Sequence, residues 1–120
     1  MKRITLAVAG SLMLMLMSVG FAGAQSGSFT GEIMDSSCAK MGSHDGMMKA
    51  HEKITSGKQC TLGCVKGGAK FVLYDASSKT VYQLDDQMKP MDFAGAKVTV
   101  TGSVDKATNT IHVADIKAAS

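Results

Sequence analysis

Between residues 38 and 64 the chain gathers all three of its cysteines with two of its three histidines and three methionines: Cys38, Met41, His44, Met47, Met48, His51, Cys60 and Cys64. Thiolate with imidazole in a four-donor shell suits Zn²⁺, whereas thiolate with thioether favours Cu(I). Spacing sorts these residues into two groups. His44, Met47, Met48 and His51 fall at i, i+3, i+4 and i+7, one face of two helical turns with Ser43 placed as N-cap, and Cys60 and Cys64 share a face at i, i+4. A zinc set is therefore Cys38, Cys60 and Cys64 with either His44 or His51. A softer copper set is His44, Met47, Met48 and His51, with Cys38 or Met41 beside them.

Two further chemistries suit the same thiols. A disulfide would join Cys38 to Cys60 or Cys64, since Cys60 and Cys64 are poorly disposed to bond across one helical turn. It would close a loop of about two dozen residues and contribute roughly 3 kcal/mol, leaving one thiol over. Thiol redox chemistry is the third option. Against all of these, methionines at helical spacing also serve as core gap-fillers, and Gly46 weakens the helix that would carry them. The chain has no Cys-x-x-Cys, no haem-attachment motif and no third residue to orient a Cys-His pair. A non-enzymatic protein is expected.

Redox compartment sharpens the question. Lys2 and Arg3 precede an apolar run, Ile4 to Val19, that ends at the small residues Ala22-Gly23-Ala24. This is the pattern of a cleaved signal peptide over residues 1–24, with the mature chain starting near Gln25 and exported to a periplasmic or extracellular space. The apolar run, about 16 residues, falls short of the ~20 of a spanning helix, so no stable membrane anchor is expected after cleavage. Unpaired thiols delivered to such a compartment are normally oxidised, so they need an occupant. Losing Lys2 and Arg3 takes the basic count from 13 to 11 against 10 acidic residues, a net charge of +1. A near-neutral domain with few aromatics lacks the electrostatic footprint of a nucleic-acid binder, which leaves a protein or a small ligand as partner.

The elements that must position these donors are mostly strands. Residues 25–120 read as one domain, in which Gln25 to Ser28 is a polar lead-in and Phe29 to Asp35 alternates as strand one. Residues 36–69 lose that alternation and form a long, partly helical insertion. Strands return at Lys70 to Tyr74 and Thr80 to Leu84, joined by a hairpin loop over Asp75 to Lys79. A loop with one short helical turn, Asp85 to Gly95, leads to the clearest strand, Lys97 to Val104, and a turn leads to the last, Thr110 to Ile116. In that last strand Ile111 and Val113 share one parity while Ala114 and Ile116 share the other, which predicts a bulge, and Gly102 within an otherwise β-branched run predicts strong local curvature too. Val98, Val100, Val104, Ile111 and Phe71 should point inward. The fold class is mainly β, a five-stranded OB-like barrel with the Cys/His/Met-bearing insertion between strands one and two. In such barrels this connection borders the ligand face.

Other polar groups carry less. His112 reads as a surface residue of an amphipathic strand, and adjacent Asp85 and Asp86 should point apart rather than form a carboxylate pair. Phe71, Tyr74 and Tyr82 read as core.

Three stretches carry a family resemblance: Thr30-Gly31-Glu32-Ile33-Met34-Asp35-Ser36-Ser37-Cys38, Cys60-Thr61-Leu62-Gly63-Cys64 through Leu73, and Val81-Tyr82-Gln83-Leu84. In them the chain resembles a family of small exported bacterial proteins of unknown function. The resemblance implies the signal, the barrel and the cysteine motif, and no activity.

Overall fold

The computed structural model describes residues 25–119; the expected leader lies outside them. Five strands, β1 (Gln25–Asp35), β2 (Phe71–Asp75), β3 (Thr80–Leu84), β4 (Lys97–Asp105) and β5 (Thr110–Ala118), close into a barrel in the order β1-β2-β3-β5-β4. Every pairing is antiparallel except the short parallel contact of β3 with β5. A 3-10 turn, Lys89–Phe93, links β3 to β4, and the whole arrangement is OB-like. Among the described residues no helix is long and apolar enough to cross a membrane.

Alternation places the barrel interior as expected. Val98, Val100, Val104, Ile111 and Phe71 are all buried, together with Ile33, Leu73 and Ile116. The register of β4 on β5 steps from Thr101 opposite Asp115 to Gly102 opposite Val113, so Ala114 is left over as the bulge. A Cβ on Gly102 would run into the carbonyl oxygen of His112, a backbone atom that cannot turn aside. Gly102→Ala should therefore cost about 3 kcal/mol, at the upper end of ordinary overpacking, read as a lower urea midpoint at unchanged slope.

Strand ends differ by one or two residues at β2, which runs Phe71–Asp75 and not Lys70 to Tyr74, and at the ends of β4 and β5, and one boundary moves further. β1 begins at Gln25, not Phe29, because Gln25 to Ser28 pairs with Val104 to Thr101. The long β4 offers that polar segment a backbone ladder, and hydrogen bonding makes it a strand where its side chains give no apolar alternation.

The insertion folds into α1 (Ser36–Met41), α2 (Asp45–Ala50) and α3 (Gly57–Lys66). It lies against the outside of the barrel. Met34 and Val72, which pair across β1 and β2, form a second buried cluster with Cys38, Ala39 and Cys60, and Met47, Ile54, Cys64, Tyr74 and Val81 pack around it. Consecutive residues Ile33-Met34 and Phe71-Val72-Leu73 are consequently all buried, one parity in the barrel and the other under the helices. The two ends of the insertion are tied together, the Ser36 amide donating to the Lys70 carbonyl at 2.8 Å and the Lys70 amide donating to Ser36 Oγ at 3.2 Å.

Candidate metal centre

The site starts where β1 stops. Asp35 is fully buried and caps α1, its Oδ2 accepting from the amides of Ser37 at 3.1 Å and Cys38 at 3.0 Å. Its other oxygen, Oδ1, has no hydrogen-bond partner. The cap turns the chain so that Cys38, in the first turn of α1, faces α3, where Ser56 caps the helix by accepting from the Gln59 amide. Cys60 sits one turn into α3, and its Sγ lies 3.4 Å from that of Cys38. Neither cysteine is in a disulfide.

His44 completes the group from the N-cap position of α2, with only 8% of its surface exposed. Its Nε2 is 3.4 Å from Glu32 Oε2, near enough for an ion-pair contact, but the alignment is not that of a hydrogen bond and neither ring nitrogen has such a partner. Asp35, Cys38, His44 and Cys60 each offer one donor atom to a cluster in which all these atoms lie within 4.8 Å of one another. A carboxylate oxygen and an imidazole left without hydrogen bonds inside a protein are costly, and a cation is one thing that would satisfy both.

Space for the imidazole comes from a missing side chain on the next helix. A Cβ at Gly57 would stand 3.0 Å from His44 Cδ2 and 3.1 Å from Nε2, so any larger residue there must push the ring. Gly57→Ala is expected to weaken cation binding by roughly 10- to 100-fold, the range found when a group that orients a ligand is disturbed, with little change in the cation-free fold. Competition against a chromogenic chelator measures it.

Burial drives the Cys38 thiol well above the ordinary thiol range, and its contacts with Cys60 and Asp35 push the same way. Cys64, one helical turn after Cys60, is pushed up to about 11, first by burial and then by the negative charge of Asp35. Without a cation these sulfurs hold their protons. A bound metal reverses that preference, because coordination deprotonates a thiol outright.

Of the donors singled out from sequence, Cys38, His44 and Cys60 come together, and Asp35 joins them. Cys64 is half-buried and packs on the same apolar cluster without entering the close group. His51 is exposed at the C-cap of α2. The reason is the helix length: α2 has only six residues, so His44 and His51 occupy its two ends and do not share a face. Ser43 accepts from the Asp45 amide at 3.3 Å but stands one residue ahead of the cap. Met41 is 57% exposed at the end of α1, Met48 is half-exposed, and Met47 packs against the buried cluster.

Asp35 was missed because it reads as a strand end. The signal that would have found it is its position three residues before Cys38, where one carboxylate can cap a helix and still present an oxygen alongside the cysteine.

Elsewhere, His112 Nδ1 lies 3.2 Å from Asp85 Oδ2 on the exposed side of β5. Asp85 is held below the usual carboxylate range, chiefly by the Val113 amide that donates to it. Asp86 turns away to accept from the amides of Met88 and Lys89, so the two carboxylates form no pair. Phe71 is core, while Tyr74 and Tyr82 are half-buried, Tyr82 with its ring 5.3 Å from that of Phe29.

No curated protein and no solved structure matches the chain. A family model described as "Protein of unknown function (DUF5818)" matches residues 64–119. That stretch takes in Cys64 and the strands β2 to β5, and the four clustered donors lie upstream of it. From Cys64 onward, therefore, the chain is similar to a domain family whose function is itself unknown.

Proposed function

We propose that this protein holds one Zn²⁺ through Asp35, Cys38, His44 and Cys60, as a structural or carrier site and not a catalytic one. The observation that carries this reading is the pair of unsatisfied buried groups, Asp35 Oδ1 and the His44 ring, beside two sulfurs 3.4 Å apart. Zinc is preferred to Cu(I) because half of the donor set is carboxylate and imidazole, donors that suit Zn²⁺ better than the softer Cu(I). Glu32 Oε2 stands 3.4 Å from Nε2, a carboxylate beside the ring of the kind that commonly orients a metal-ligating histidine. Four protein donors fill a tetrahedral shell, and a closed shell has no position for substrate. The absence of an enzymatic role and the exported location belong to the same proposal, the second resting on the leader residues.

The test is metal uptake by the reduced protein. Equilibrium dialysis should give one Zn²⁺ per chain, and Co²⁺ in its place should show a sulfur-to-cobalt charge-transfer band that Cys38→Ser removes. Uptake that survives Cys38→Ser, or no uptake, would sink the reading. A second reading, a Cys38–Cys60 disulfide without metal, is favoured by the same short sulfur separation. It predicts a single titratable thiol in denatured, non-reduced protein.

A further inference from the structure

The metal and disulfide readings draw on the same two atoms, and we infer that they are two states of one centre: reduced, it holds the cation; oxidised by a peroxide, it joins Cys38 to Cys60 and lets the cation go. This rests on the zinc reading and adds to it a chemical means of release. Three observations carry it. The sulfurs of Cys38 and Cys60 already lie 3.4 Å apart, so bond formation at ~2.05 Å needs only a small approach. They come from different helices, α1 and α3, and not from one helical turn, which is the arrangement a disulfide tolerates. Removing both from the donor set leaves Asp35 and His44 alone, half of a tetrahedral shell.

The chemistry balances with hydrogen peroxide as the oxidant. One thiolate attacks a peroxide oxygen; an S–O bond forms, the O–O bond breaks, and hydroxide leaves and takes a proton. The other thiolate then attacks the resulting sulfenic sulfur; the S–S bond forms, the S–O bond breaks, and the second hydroxide leaves as water. Two thiolates, one peroxide and two protons become one disulfide and two waters. The cation, having lost two anionic ligands, is released. Cys64, half-buried and not one of the four mutually close donors, should keep its thiol.

The experiment uses the full chain, reduced, loaded with Zn²⁺ and treated with hydrogen peroxide while a chromogenic chelator reports free zinc. The expected result is one zinc released per chain as titratable thiols fall from three to one, with peptide mapping placing the disulfide between Cys38 and Cys60. Dithiothreitol should restore zinc binding. Cys64→Ser should behave in the same way, with thiols falling from two to none. A disulfide that includes Cys64, oxidation to sulfinic acid without a disulfide, or zinc retained after the Cys38–Cys60 bond has formed would each overturn the inference and leave the zinc site standing. If the reduced protein takes up no zinc, the underlying reading fails as well, whatever disulfide then forms.

Discussion

Removing Zn²⁺ with a chelator should lower the melting temperature of the reduced protein by about 15 to 30 °C. The size follows from linkage: free metal at a thousand times its dissociation constant stabilises the state that binds it by about 4 kcal/mol. In a domain of this size each kcal/mol moves the melting temperature by about 4 to 8 °C. The effect should be large here because the donors come from separate elements. Asp35 closes β1, Cys38 opens α1, His44 precedes α2 and Cys60 lies on α3, so one ion fastens the whole insertion to the end of a strand. Thermal unfolding of Cys60→Ser supplies the control. Its melting temperature should respond neither to Zn²⁺ nor to chelator, and an equal shift in that variant would place the stabilising ion elsewhere.

The barrel was legible in the sequence because its evidence is local. Val98, Val100 and Val104 alternate on β4, and the change of parity between Val113 and Ala114 announced the bulge that the register of β4 on β5 contains. Gln25 to Ser28 was not legible as strand, since its strand state is supplied by β4, a partner some seventy-five positions away. The same division runs through the site. Cys38 and Cys60 stood out as rare residue types near the two ends of one insertion, and the antiparallel pairing of β1 with β2 brings those ends together. Choosing His44 over His51 was beyond the pattern, because a helical repeat makes them equivalent. What separates them is the brevity of α2 and the space left by Gly57 on α3, both properties of the packed structure. Asp35 was hidden for a related reason. Its sequence position explains the cap, but only its burial in the packed structure leaves Oδ1 without a protein hydrogen-bond partner.

Asp35 also offers the sharpest separation of function from fold. Asp35→Asn keeps an oxygen able to accept from the amides of Ser37 and Cys38, so the cap on α1 survives; Asp35→Ala would lose it at about 1 kcal/mol. What the asparagine removes is the negative charge held in a buried position, a feature that costs about 1–3 kcal/mol in the cation-free protein. The metal-free variant should accordingly be more stable than the parent by an amount in that range, measured by urea unfolding with chelator present. Its affinity for Zn²⁺ should fall at least 100-fold, beyond the 10- to 100-fold seen for residues that only orient a ligand, because a neutral amide replaces an anionic donor. The two changes have opposite signs. A carboxylate kept only for capping would give no gain in the metal-free protein and no loss of zinc, and a carboxylate kept only for packing would lower both. A gain without zinc joined to a loss with it is the signature of a group whose buried charge awaits a cation, and either change with the wrong sign removes Asp35 from the ligand set.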